Sequence, residues 1–196
     1  MNVERIVLAS ASSTRLDLLK RFTGLMPEVI ISGINEDPLK RELPRLYVER
    51  LAEEKSLAIL DRVDSGYIVS ADTAVVLGRS ILPKATNDDL VRHCLEKISG
   101  RRHRVYTGIC VTLKQRENVV VKKTRVVMSV VQFKNLTTKE IDWYVESKEG
   151  IDKAGGYSIQ GLAQCFIPFL RGSVSNIMGL PMFELKNMLF SLGYKL

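Results

Sequence analysis

The chain has 196 residues, with 29 Lys+Arg against 22 Asp+Glu for a formal net charge of +7. Hydrophobic residues at 45% and charged residues at 26% exclude wholesale disorder, and no apolar run approaches the ~20 residues that span a bilayer. Three dispersed cysteines (Cys94, Cys110, Cys165) and two histidines (His93, His103) leave neither a disulfide framework nor a structural zinc site. Charges within Met1–Ile6 stand where a signal peptide needs apolar residues, so a cytoplasmic, soluble chain is expected. A length of 196 residues suits a single domain, residues 1–196, with no linker.

In chain order, Ile6–Ala9 reads as a short strand. It runs into the hydroxyl-rich turn Ser10–Ser13 and then into a helix marked by Leu18, Leu19, Phe22 and Leu25. Glu28–Ser32 resembles a second strand, and Pro44 opens a helix whose apolar stripe is Tyr47, Val48, Leu51, Ala52, Ala58 and Ile59. Tyr67–Leu77 is a third strand. Thr86 and Asp89 form a capping signature before a helix that Gly100 stops. Val105–Leu113 and Val119–Phe133 read as a hairpin about the polar turn Lys114–Asn118. Thr137–Val145 returns to helix, Gly150–Gly161 is a Gly-rich loop, Ser175–Pro181 is a turn, and Pro181–Leu192 is the last helix. The fold class is α/β (mixed α+β), a mixed central sheet with helices packed on it.

Several residues carry possible chemistry. Ser10, Ser12 and Ser13 with Arg15 at a helix start make an anion cradle, or a plain Ser/Thr cap. Asp72 lies within Ile68–Val76, where strand alternation puts it on one face with Ser70 and Ala74. A carboxylate there is costly to bury unless paired, so either a ligand groove stands above it or the strand stops at Ala71. Lys55 lies on the apolar stripe of its helix, where it either snorkels or points at an anion. Glu36 is a loop carboxylate of the kind a hard cation uses, and Lys84 precedes the capped helix. Gln160 has the amide donor and acceptor needed to read a base edge. Together these groups suit metal-assisted hydrolysis of a polyphosphate.

Seven blocks stand in the order found in one family: Leu8-Ala9-Ser10-Ala11-Ser12, Ala71-Asp72-Thr73, Ser99-Gly100-Arg101, Thr107-Gly108, Asp152-Lys153-Ala154-Gly155, Ile159-Gln160-Gly161, and Ser175-Asn176 with Gly179-Leu180-Pro181. The chain resembles the Maf-like nucleoside triphosphate pyrophosphatases from about residue 5 to about residue 190. That resemblance implies two lobes flanking a central cleft, an ITPase-like plan, a divalent cation (Mg²⁺ or Mn²⁺), and cleavage of a nucleotide to its monophosphate and pyrophosphate. It implies a house-cleaning role against modified or surplus nucleotides, and a homodimer. It makes Asp72 the general base, Glu36 a metal ligand, and Ser10, Ser12, Thr14, Arg15, Lys55, Thr73, Lys84 and Gln160 substrate-binding residues. Gln160 matches the branch resembling dTTP/UTP pyrophosphatases. Departures from the pattern are Ser13-Thr14 in place of Pro-Arg, Asn35 in place of the first acid of an Asp-Glu pair, and Pro83 and Ala85 around Lys84. Thr14 lacks the guanidinium fork of the arginine it replaces.

The rival readings are a catalytically silent regulatory relative and a basic nucleic-acid-binding module. The second would use Arg101–Arg104 with Lys114, Arg116, Lys122, Lys123 and Arg125. Aromatic residues at 7% and the lack of a recognised motif argue against it, so a nucleotide is expected as partner, with no membrane and no specific nucleic acid.

Overall fold

The structure is a computed structural model that describes residues 5–115 and 120–195. Its first strand, β1 (Ile6–Leu8), is buried along its length and pairs in parallel with β2 (Glu28–Val29) on one side and β3 (Gly66–Leu77) on the other. Parallel neighbours need a crossover, and α1 (Ser13–Thr23) supplies the first. Ser12 caps α1 by accepting the Arg15 N–H at 3.3 Å, and Gly24 ends it at φ 68. β2 is shorter than the five residues expected, because both of its residues are exposed and its pairing stops after two.

Helix α2 (Pro44–Leu57) opens on its proline and buries Val48, Leu51, Ala52, Lys55 and Ser56. The chain continues through β3 and the short β4 (Ser80–Ile81), paired antiparallel to it, into α3 (Asp88–Ile98). The cap of α3 is Asn87, whose Oδ1 accepts the Leu90 N–H at 2.9 Å, and not Thr86. The hairpin strands are β5 (Arg102–Lys114) and β6 (Val120–Gln132), and part of the turn expected between them, with Arg116, lies outside the described residues. Thr137 and Glu140 close a capping box at α4 (Thr138–Glu146). Among the strands and α-helices three were not anticipated: β4, β7 (Phe169–Arg171), antiparallel to β6, and the single-turn α5 (Val174–Ile177) before α6 (Met182–Ser191). The sheet order is β2-β1-β3-β5-β6-β7 with β4 on β3, the mixed sheet that was expected.

The chain divides into two compact units. The first comprises the described parts of Met1–Asp72, Thr107–Val127 and Gly179–Leu196; the second is Thr73–Tyr106 and Met128–Met178. In the first unit, alternation sends Ile6, Leu8, Tyr67, Val69 and Ala71 into one apolar cluster and Val7, Ala9 and Ile68 into another. Strands covered on both faces read as unbroken apolar runs, which is why Ile6–Ala9 and Tyr67–Ala71 carry few polar residues. Helix α2 lies against the strands closely enough that a Cβ on Gly108 would stand 2.0 Å from the Val48 carbonyl oxygen, so only glycine fits there. The second unit has its own core, where Val91, Leu95 and Ile98 of α3 meet Ile141 and Tyr144 of α4 over Val131 and Phe133.

Candidate active site

In the first unit, strand β3 does not stop at Ala71. It continues through Asp72, so the carboxylate stands in mid-strand and is 6% exposed. Ser70 and Asp72 share one strand face, and α2 covers it. The Ser70 hydroxyl donates to the Ala52 carbonyl at 2.6 Å. One turn further along α2, Lys55 Nζ stands 2.7 Å from Asp72 Oδ1. The Ser56 and Thr112 hydroxyls, 2.7 Å apart, tie the same part of the helix to β5. Lys55 therefore does not snorkel to solvent: it is 5% exposed and its ammonium meets carboxylates on two sides. The second is Glu36, whose Oε1 is also 2.7 Å from Nζ and whose side chain is 55% exposed.

Arg15 is the second buried cation. Its Nε donates to the Gly179 carbonyl at 2.8 Å and its Nη1 to Ser10 Oγ at 3.1 Å, while Ser10 Oγ also accepts the Ser12 N–H at 3.2 Å. An arginine in the first turn of a helix opposes the macrodipole. It is kept there by these bonds and by the nearby charges of Asp72 and Glu36, which raise its pKa against the larger lowering caused by burial. Burial likewise pushes the Asp72 carboxyl above the ordinary carboxylate range, with Lys55 and Arg15 pulling it back. The cluster is thus a desolvated acid held between two cations, with a half-exposed second acid beside it. Thr14 lies half-buried on the same helical turn.

The second unit carries the remaining candidates. Thr73 directly follows Asp72 on β3. Lys84 sits in an isolated antiparallel bridge with Ala154; it is 63% exposed, and its Nζ is 3.3 Å from Asp152 Oδ1. The Ala85 and Asp152 N–H groups bond across to the Lys153 and Ala85 carbonyls, so the Lys84 loop and the glycine-rich loop are stitched together. Gln160 is exposed on a turn bordering a cavity of about 380 Å³ that Lys148, Glu149, Lys153 and Ser158 also line. Glu149 holds that turn by accepting the Leu162 N–H at 2.7 Å. The basic segment at Arg101–Arg104 divides by strand alternation. Arg101, Arg102 and Arg104 are exposed, whereas His103 is buried with Nε2 2.8 Å from the Tyr157 hydroxyl.

Three contributors were not singled out from the sequence. Gly179 acts through its carbonyl, which residue type does not disclose. Tyr47 lies on the same α2 stripe as Lys55, at i and i+8, and its hydroxyl donates to the Glu36 carbonyl at 2.8 Å. Asp152 stood out only as part of a loop. Asn35, the departure from the expected acid, accepts the Asp37 N–H through Oδ1 at 2.9 Å, so it shapes the turn bearing Glu36.

These features define an α/β protein whose first unit brings together a helix-start hydroxyl turn, two buried cations and two carboxylates, a candidate site for a charged ligand. The chain belongs to the Maf-like proteins, whose family pattern matches residues 5–192. It is 48% identical over 194 residues, 99% of this chain and 95% of the relative, to the nucleoside triphosphate pyrophosphatase of Orientia tsutsugamushi (strain Boryong). It is 46% identical over 191 residues, 97% of this chain and 94% of the relative, to the protein of the same name from Rickettsia felis. Among solved structures, the Staphylococcus aureus Ham1 protein aligns over 96% of this chain and all of its own at a TM-score of 0.48 and 15% identity.

Proposed function

We propose that the chain is a nucleoside triphosphate pyrophosphatase, hydrolysing the bond between the α- and β-phosphates to give a nucleoside monophosphate and pyrophosphate. Family membership and the names of its relatives support the reaction class. The observation that carries it is Lys55 Nζ lying 2.7 Å from both Asp72 and Glu36, beside buried Arg15. A raised carboxyl pKa suits a base that must take a proton from water near neutral pH. Two preorganised cations in a water-poor site stabilise negative charge as it grows on the pyrophosphate leaving group. In this reading Asp72 Oδ2 receives the water proton, Lys55 holds Asp72 ionised, and Arg15, Ser10 and Ser12 hold phosphate oxygens. Thr14, Thr73 and Lys84 take their substrate-binding roles from the family pattern.

Among the described residues no group of three or more His, Cys, Asp or Glu is placed to hold a metal. Mg²⁺ and Mn²⁺ sites that use one or two carboxylates and complete their shell with substrate phosphates and water fit what is present. Glu36, more exposed than Asp72, is the ligand we assign. Bound there, the cation would polarise phosphoryl oxygens.

Gln160 supports a preference for dTTP, UTP or modified pyrimidine nucleotides through its match to the branch resembling dTTP/UTP pyrophosphatases, and its amide has the donor and acceptor needed to read a base edge. We also propose a homodimer acting in the cytoplasm; no helix among the described residues is long and apolar enough to cross a membrane. Sedimentation equilibrium tests the dimer. A panel of ordinary and modified nucleoside triphosphates with Mg²⁺ and Mn²⁺, scored for pyrophosphate against orthophosphate, tests the reaction and the base preference together. Primary release of orthophosphate would overturn the reading.

A further inference from the structure

Residues 30–43, which carry Glu36, contain no helix or strand. Beyond Ile30, which is buried in the core, apolar burial does not hold this stretch in place, since Leu39 and Leu43 are 60% and 63% exposed. Nor does the ion pair of Glu36 with Lys55 suffice, because the Glu36 side chain is half-exposed and solvent weakens such a pair. Near its start the stretch is held by the Arg62 Nη1 bond to the Ile31 carbonyl at 3.1 Å, and around Glu36 it is fixed by a set of polar contacts from one side of α2. The Tyr47 hydroxyl donates to the Glu36 carbonyl at 2.8 Å. Three residues on, Arg50 Nη2 donates to the Asp37 carbonyl at 3.2 Å, and its Nε and Nη2 grip the two oxygens of Glu42 at 2.7 Å each. Glu42 in turn accepts the Leu39 N–H at 2.9 Å, and Arg50 Nη1 reaches Glu54 at 3.0 Å. The Glu42 side chain is 8% exposed, so this bidentate pair is shielded from solvent in a way the Glu36 pair is not.

We propose that Tyr47 and Arg50 are positioning residues that latch the Glu36 loop onto α2 and so set the affinity of the site for its divalent cation. The inference rests on the reading of Glu36 as a cation ligand. Bonds to the backbone at residues 36, 37 and 39 leave the Glu36 carboxylate little freedom except at its own side-chain torsions. Without them the loop must be ordered each time a cation binds. Groups that orient a metal ligand commonly change metal affinity about 10–100-fold when removed. Arginine is suited to the task because its planar fork engages a carboxylate and a carbonyl at once, which a lysine does not.

The test uses the full chain and two readouts. The first is the Mn²⁺ concentration giving half-maximal nucleotide turnover; the second is amide hydrogen exchange over residues 35–42 with neither metal nor nucleotide present. Arg50→Ala is expected to raise the Mn²⁺ requirement about 10–100-fold, to leave turnover at saturating Mn²⁺ within a few fold, and to speed exchange in the loop. Tyr47→Phe is expected to move both readouts the same way by less, and Arg50→Lys to fall between Arg50→Ala and the parent. Should Arg50→Ala fail to fold, Tyr47→Phe, which removes one hydroxyl, decides between latch and no latch on the same two readouts. Glu36→Gln separates the two levels of the argument. If it raises the Mn²⁺ requirement while the latch variants leave both readouts unchanged, the latch is wrong. If it leaves the requirement unchanged, the assignment of Glu36 is wrong, and the inference falls with it.

Discussion

Lys55 on α2 and Asp72 on β3 are both buried, and their charged atoms are 2.7 Å apart. A strand face covered by a helix is a place where an unpaired charge is not tolerated. The pair is therefore the structural condition for keeping an ionised acid there, and each of its members has a separable consequence.

Asp72→Asn keeps the shape of the side chain and leaves Lys55 its contact with Glu36. The expected result is a folded protein whose kcat/KM falls by about 10²–10⁴, the range for loss of a general base. Circular dichroism with thermal unfolding would establish the fold, and pyrophosphate release the loss. Full activity in this variant would remove Asp72 from the mechanism.

Lys55→Met acts differently, because it leaves the buried Asp72 carboxylate without its nearest cation. Breaking a buried pair by removing one partner costs about 3–5 kcal/mol. Urea denaturation should show a loss of that order at pH 7. The double variant Lys55→Met with Asp72→Asn should recover much of it, since no buried carboxylate then stands at position 72 and Glu36, which also loses Lys55, is half-exposed. Additive losses in the two single variants and the double would mean that the pair is not coupled.

The raised pKa of Asp72 gives activity and stability opposite pH dependence. Water activation needs the carboxylate, so kcat/KM should rise with pH through the folded-state value, on a limb lying above the ~3.9 of an ordinary aspartate. Folding favours the protonated form. The stability contribution of this group is complete below the unfolded value and is lost as pH rises through the folded one. A pH–rate profile of the free enzyme whose acid limb sits at the ordinary aspartate value would contradict the assignment.

His103 has the reverse sign. Burial among Phe133 and Tyr157 lowers its pKa from 6.5 to about 4. Below the unfolded value the unfolded chain takes up a proton that the folded chain refuses. Its contribution is therefore lost as pH falls from about 6.5 toward 4 and is level below that. Between pH 7 and pH 5 the parent should lose about 2 kcal/mol more stability than His103→Gln, as measured by urea unfolding at the two values. Equal losses would show that the ring takes up its proton freely in the folded state.

Arg15→Lys should retain the charge yet lose the fork that spans the Gly179 carbonyl and Ser10. A rise in KM larger than the fall in kcat is expected, because substrate phosphates lose a positioned partner. Unchanged KM would place the arginine's importance in folding alone.

Much of this was legible in the sequence, for identifiable physical reasons. The strand, hydroxyl turn and helix over residues 6–23 announce themselves because apolar period and capping chemistry agree. The choice between a mid-strand Asp72 and a turn cap was not available from local pattern. It is decided by Lys55, 17 residues away in sequence, making burial of the carboxylate possible. Lys55 was likewise ambiguous until its partner was known. β7 escaped notice because three residues paired at one end of a longer strand carry no periodicity of their own. The cap of α3 shifted by one residue, from Thr86 to Asn87, because both side chains are good caps and only the backbone decides between them. Carbonyl contributions such as that of Gly179 leave no trace in residue type at all.

In a pyrophosphatase of the proposed kind, water attacks the α-phosphorus of a nucleoside triphosphate. This point of attack is tested most directly by running the reaction in ¹⁸O-labelled water and reading the products by ³¹P NMR and mass spectrometry. Attack at the α-phosphorus gives one labelled oxygen in the nucleoside monophosphate and none in a pyrophosphate released in equal amount. Label in the pyrophosphate, or orthophosphate as the first product, would contradict it.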